Sequence, residues 1–254
     1  MVGAGDIAQC GSSGLQATAA LLDTIGGGVF TAGDNAYPHG TSQEFQNCYE
    51  PTWGRHKSRT RPSPGNHDYD VANAAAYFEY FGAAAGPAGL GYYTFTVGEW
   101  LAVSLNSNIP AGPGSTQAQW LRQMLEASSA RCTVAYFHHP RFGSGAHGSN
   151  GDVLELWRIL YDAGADVVIS GHEHFYERSA PQNQHGTADS ARGLRQFIVG
   201  TGGADLSSFV GAISNSEVRI SQHGVLKLTL GPDSYAWEFI GVAGASDTGV
   251  GICH

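Results

Sequence analysis

Lysine is nearly absent from this chain: of 254 residues, only Lys57 and Lys227 are lysines. Charged side chains of all kinds make up 14% of the residues, and 13 basic groups face 22 acidic ones, for a formal net charge of −9. A chain this poor in cations excludes a broad nucleic-acid surface, which needs a basic face. Long apolar runs are also missing, and none approaches the roughly 18 residues of a membrane-crossing helix. No two cysteines stand in a C-x-x-C pair, which removes the usual structural zinc signature. No linker, repeat or low-complexity block divides the chain, and the longest polar stretch, 182–192, reads as a surface loop. That continuity predicts one domain over residues 1–254. Disorder is excluded in turn, because 42% hydrophobic and 11% aromatic residues suffice for a full core.

Histidine and glycine are plentiful. There are 36 glycines without a period-three repeat, which implies many tight turns. Of 11 histidines, five (His138, His139, His147, His172 and His174) fall within 37 residues. Four cysteines, Cys10, Cys48, Cys132 and Cys253, allow three pairings. The favoured pairing is Cys10–Cys48, tying two loops, and Cys132–Cys253, pinning a tail with no other reason to stay ordered. Two disulfides imply an oxidising compartment. The expectation is therefore a secreted, periplasmic or extracellular protein. No signal peptide opens the sequence at Met1-Val2, and one removed earlier fits that location. Four buried thiols in a reducing compartment are the alternative.

Apolar patterning alternates strands with helices. Short strands are expected at 2–5, 29–32, 92–97, 101–105, 133–137, 166–170, 196–199, 225–230 and 235–240. Helices are expected at 15–25 and 74–81, from a Ser115 cap to about 127, and from an Asp152-x-x-Glu155 capping box to about 163. This is an α/β class, and the last strands lack intervening helices, so part of the sheet is antiparallel.

Five apolar segments each run into a polar residue able to bind metal: Asp6, Asp34, Asn66, His138 and His172. In α/β sheets sites form beyond the carboxyl ends of strands, so these five residues are expected to converge. Tyr37 and His174 follow within three residues of Asp34 and His172. Seven donors exceed one tetrahedral ion and suit two ions bridged by a carboxylate. Gly5, Gly33, Gly65 and Gly171 each precede a donor, marking sharp turns close to the site. Gly200-Thr-Gly-Gly203 lacks the lysine of a Walker loop and reads as a strand-end turn beneath it.

The ordered motifs Asp6-Ile-Ala, Gly33-Asp-Asn-Ala-Tyr37, Gly65-Asn-His-Asp68, His138-His-Pro140 and Gly171-His-Glu-His174 resemble those of the metallophosphoesterase superfamily. Tyr37 matches its purple acid phosphatase branch. The resemblance spans Asp6 to about Arg178 and departs at Ala8, where the pattern has glycine. It implies a four-layer α/β/β/α sandwich with mixed sheets. It also implies one ion held by Asp6, Tyr37 and His174, a second by Asn66, His138 and His172, and Asp34 bridging both. Proline spacing in the pattern selects His138 over His139. A phenolate favours Fe(III) at the first position; the second takes divalent Fe, Zn or Mn.

The activity so implied is hydrolysis of phosphomonoesters by a metal-bound hydroxide. His67 and His147 would contact substrate and protonate the leaving group, with Asn66 also contacting substrate. His39 and Arg178 are further candidates for substrate contact. Asp68 is expected to accept a hydrogen bond that fixes a histidine tautomer. The partner is a small phosphorylated molecule rather than nucleic acid or membrane. Two alternatives share the resemblance: a phosphodiesterase acting on cyclic nucleotides or lipid head groups, and an extracellular module that binds metal or phosphate without turnover.

Overall fold

The computed structural model describes residues 1–254. Strand residues alternate between two environments, and that alternation builds the layers. Val134 and Tyr136 face a core shared with Phe30, Leu226 and Phe239, whereas Ala135 and Phe137 face a second core with Leu121, Leu156 and Leu160. The period of two thus sends one face of the sheet against another sheet and its opposite face against helices 116–127 and 154–162.

The first sheet orders its strands 246–252, 234–241, 224–230, 2–4, 29–32 and 60–63. The last three run parallel and the first three antiparallel. The second sheet orders 216–220, 176–179, 195–199, 167–170, 133–136, 100–104 and 93–97, parallel through its middle. Helix 13–24 packs on strand 224–230 of the first sheet. The four-layer α/β/β/α sandwich with mixed sheets is therefore the observed architecture; the helix-free return of the chain supplies the antiparallel strands of the first sheet, and hairpin 93–104 adds an antiparallel pair to the second.

Ser115 caps helix 116–127 as expected, its hydroxyl accepting from the Ala118 amide at 3.1 Å. The capping box at Asp152 does not form. The helix starts at Leu154 behind Val153, which has no capping side chain. Glu155 instead turns to Arg122 and Arg158, and the Asp152 amide is taken by the Asn150 side chain at 2.8 Å. Two guanidiniums offer Glu155 more than a single backbone N–H would. Both disulfides, Cys10–Cys48 and Cys132–Cys253, are formed and no cysteine is free.

Candidate metal centre

Five parallel strands deliver donors to one rim of the sandwich, but from both sheets rather than one. Strands 2–4, 29–32 and 60–63 of the first sheet lead to Asp6, Asp34 and Asn66; strands 133–136 and 167–170 of the second lead to His138 and His172. One sheet therefore brings oxygen donors and the other imidazoles. The turns interlock, since the Asp6 carboxylate accepts the His172 amide at 2.8 Å and Asp34 accepts the His67 amide at 2.8 Å. Gly171 is required by close approach: a Cβ there would lie 2.5 Å from the Asp6 carboxylate and 2.6 Å from the Ala32 carbonyl. The Gly200–Gly203 turn runs beneath, its Gly202 amide donating to the Gly5 carbonyl.

The donors fall into two groups sharing Asp34. The Tyr37 hydroxyl lies 2.8 Å from Asp6 Oδ1, 2.9 Å from Asp34 Oδ2 and 3.1 Å from His174 Nε2. His138 Nε2 lies 3.2 Å from Asp34 Oδ2, 3.0 Å from Asn66 Oδ1 and 3.1 Å from His172 Nδ1. His138 is fully buried and its Nδ1 donates to the Ala32 carbonyl at 2.9 Å, which aims Nε2 at the cluster. His139 Nδ1 meets the Ser107 hydroxyl at 2.8 Å, while its ring lies 4.5 Å from that of His172 and one of its nitrogens lies within 4.8 Å of donor atoms of His138 and His172.

The electrostatics fit bound cations. Asp6 and Asp34 are buried side by side without a lysine or arginine among their partners. Burial works to raise the Asp6 carboxyl, but His174, with His138 and Tyr37, outweighs it and holds the group well below the usual range. Burial lowers His138 and His174, yet Asp34 and Asp6 respectively overcome it and push each up to about 9. Burial, then the carboxylates of Asp6 and Asp34, raises the Tyr37 hydroxyl. Burial and the neighbouring His138 lower His172 to about 2 and His139 to about 3. Two buried acids with only histidines and a tyrosine beside them form a site suited to cations of higher charge.

Outside the two donor groups, the His67 ring packs tilted against Tyr37 with centroids 4.6 Å apart, and its Nδ1 donates to the Pro38 carbonyl at 2.6 Å. Its Nε2 is left facing Asp34 at 3.9 Å. His147 is exposed and its ring lies 4.3 Å from that of His172. His39 is not brought into the cluster; it is exposed and pairs with Asp70 at 3.0 Å. Arg178 is not brought in either. It is buried between Asp247 and Glu217 and lies over the Trp237 ring, so its charge is already matched. Asp68 fixes no histidine: it accepts the Gly65 and Asn35 amides and the Asn35 side chain, bracing the turn before Asn66. Burial, then Asp34, raises it to about 7. Sequence reasoning missed Glu173 and the role of Glu177, both buried beneath the 143–148 loop. The only available signal was a carboxylate set between two candidate ligands in Gly171-His-Glu-His174.

The sequence profile of the calcineurin-like phosphoesterases matches residues 2–176, and the chain belongs to that family. Within it, the similarity lies with the purple acid phosphatases. Purple acid phosphatase 18 of Arabidopsis thaliana is 34% identical over 118 residues, covering 44% of this chain and 26% of its own. Purple acid phosphatase 15 of the same plant is 28% identical over 188 residues, 59% and 35% of the two chains. An uncharacterized protein of Mycobacterium tuberculosis is 30% identical over 185 residues, 56% of this chain and 35% of its own, so the match spans about a third of that relative. Among solved structures, yellow lupin purple acid phosphatase PPD1 superposes with TM-score 0.81 at 18% identity, over 98% of this chain and 52% of the lupin chain. GAP50, the anchor in the Plasmodium inner membrane complex, superposes with TM-score 0.75 at 15% identity, covering 100% and 88%. The structural matches speak to fold.

Proposed function

We propose that the protein is a phosphatase that holds two metal ions and hydrolyses phosphomonoesters. The observation that carries this reading is the division of seven donors into two groups about Asp34. Asp6, Tyr37 and His174 would hold Fe(III), which a hard phenolate donor favours. Asn66, His138 and His172 would hold a divalent Fe, Zn or Mn ion. When bound, the two ions supply Lewis acidity, activating the attacking water and neutralising charge on the phosphoryl oxygens.

The chain's own groups do the rest. With Nδ1 committed to Pro38, His67 has Nε2 free to bind a phosphoryl oxygen or to hold the proton for the leaving group. Asn66 turns its oxygen toward His138, which leaves its amide N–H groups for substrate. His147, exposed at the rim with its ring 4.3 Å from that of His172, would be the second group to hold the proton for the leaving oxygen. The substrate is a small phosphorylated molecule, and the two disulfides favour an extracellular setting.

Metal analysis of natively produced protein, joined to kinetics on matched mono- and diesters, tests this. The expected result is two metals per chain, one of them iron, and faster turnover of monoesters. A diester preference above about tenfold in kcat/KM, or 1.4 kcal/mol, would overturn the monoesterase reading. Stoichiometric metal without turnover of any ester would make the protein a binding module instead.

A further inference from the structure

His147 sits in Gly143-Ser-Gly-Ala-His-Gly148, a segment without regular structure that contains three glycines. Such a segment loses much conformational freedom when it is fixed. It is fixed here by two carboxylates. Glu173, fully buried, accepts the Gly148 amide at 2.9 Å through Oε1. Glu177, 1% exposed, accepts the Ser144 amide at 3.0 Å through Oε2 and the Ser144 hydroxyl through Oε1. Ser144 carries the restraint onward: its hydroxyl oxygen accepts the Ile213 amide at 3.0 Å and its carbonyl accepts the Val210 amide at 3.1 Å. The two anchors bracket His147. Gly145 passes so close to Glu173 that any Cβ there would collide with the carboxylate.

Neither glutamate has a lysine or arginine partner, and Glu173 Oε2 has no partner at all. Burying carboxylates without cations is costly, and apolar side chains would fill the same space at less cost to stability. Their arrangement makes sense through what they hold. Both lie on residues 171–179, the stretch that also carries His172 and His174, so the loop is fastened to the segment that positions two of the proposed ligands.

We propose that Glu173 and Glu177 are positioning residues that clamp the 143–148 loop and set the His147 ring over His172, within reach of the leaving oxygen. This rests on the phosphatase reading above. The test compares wild type, Glu177→Ala, His147→Ala and the double variant on an aryl and an alkyl phosphate monoester, with metal content measured on each. Hydrogen exchange of the Ser144 and Gly148 amides is followed in metal-free protein. Glu177→Ala should lose at least about tenfold more kcat on the alkyl ester than on the aryl ester, as expected for a displaced proton donor. It should add nothing to His147→Ala, leave metal content unchanged, and release protection of the Ser144 amide. Ser144→Ala, a milder change, should show the same selectivity if Glu177→Ala folds poorly.

Equal losses on both esters, additive losses in the double variant, or unchanged exchange at Ser144 would overturn the proposal while the phosphatase reading stood. A wild type that turns over neither ester, with the exchange result intact, would overturn the phosphatase reading and leave the clamp itself demonstrated.

Discussion

Asp6, Asp34 and His172 adopt φ values of 59°, 51° and 70°, a left-handed conformation that costs a residue with a Cβ roughly 1 kcal/mol or more. Three such residues at one rim mean that the fold holds their side chains against local preference. The donor types were legible in the sequence because chemistry restricts them, and Gly33 and Gly171 flagged the turns. His138 could be separated from His139 only by the resemblance, and the structure adds the aim of each ring through Ala32 and Ser107. Asp68 was legible as a supporting acceptor but its partners were not, since they depend on how turn 65–68 lies against Asn35. The residue-scale prediction concerns Tyr37. If its oxygen binds iron, Tyr37→Phe abolishes a visible charge-transfer band while circular dichroism is unchanged, and a colourless iron-loaded wild type removes the assignment. A second concerns His67: His67→Ala should lower kcat on alkyl phosphates by about 100-fold and on aryl phosphates by less, read from steady-state kinetics.

At the scale of elements, strands 2–4, 29–32 and 167–170 were the easiest to find, because each is a short fully buried run that ends at a glycine, whereas 60–63, Thr-Arg-Pro-Ser with Arg61 exposed, has no apolar pattern to read as a strand. Which sheet each strand joins was not readable, since pairing across 100 residues depends on tertiary packing. Arg178 shows the consequence. It lies on strand 176–179, four residues past His174, and from sequence alone it could serve an anion. The antiparallel pairing of 176–179 with 216–220 places it near Glu217, and the return strand 246–252 brings Asp247 to it. Arg178→Ala should therefore lower unfolding free energy by about 2 kcal/mol, the cost of taking the cation from Asp247, which keeps only its Tyr176 and Trp237 donors. The same variant should leave KM unchanged in its folded fraction. Denaturant melts and kinetics separate the two roles, and a raised KM with unaltered stability would return Arg178 to the substrate.

For the whole molecule, a net charge of −9 coexists with a rim that, in the proposed reading, draws anions through bound metals rather than through basic side chains. The same scale contains the closure of the chain on itself. Cys253 is bonded to Cys132 across 121 residues, and beside it the two oxygens of Asp166 accept the Thr133 and His254 amides. The cysteine pairing was expected from the sequence, but the Asp166 latch was not, because the last residue had no pattern to read. The His254 ring also meets Asp166 at 3.1 Å, and that bond raises its pKa above the ordinary value while burial opposes it. A histidine so raised stabilises the fold fully below its unfolded pKa of about 6.5, and the contribution fades as pH rises through the folded value. His254→Gln should thus cost a fraction of a kcal/mol at pH 5.5, since the partly exposed pair is screened, and nothing at pH 8.5. Removing the disulfide with a Cys132→Ser, Cys253→Ser double variant should cost about 2–5 kcal/mol at both pH values, through the entropy of the long loop it closes. Urea melts of the three proteins at the two pH values measure both effects. A His254→Gln loss that persists at pH 8.5 would place the ring's hold in its contacts rather than its charge, and no loss at either pH would place the tail's hold in its backbone bond to Asp166.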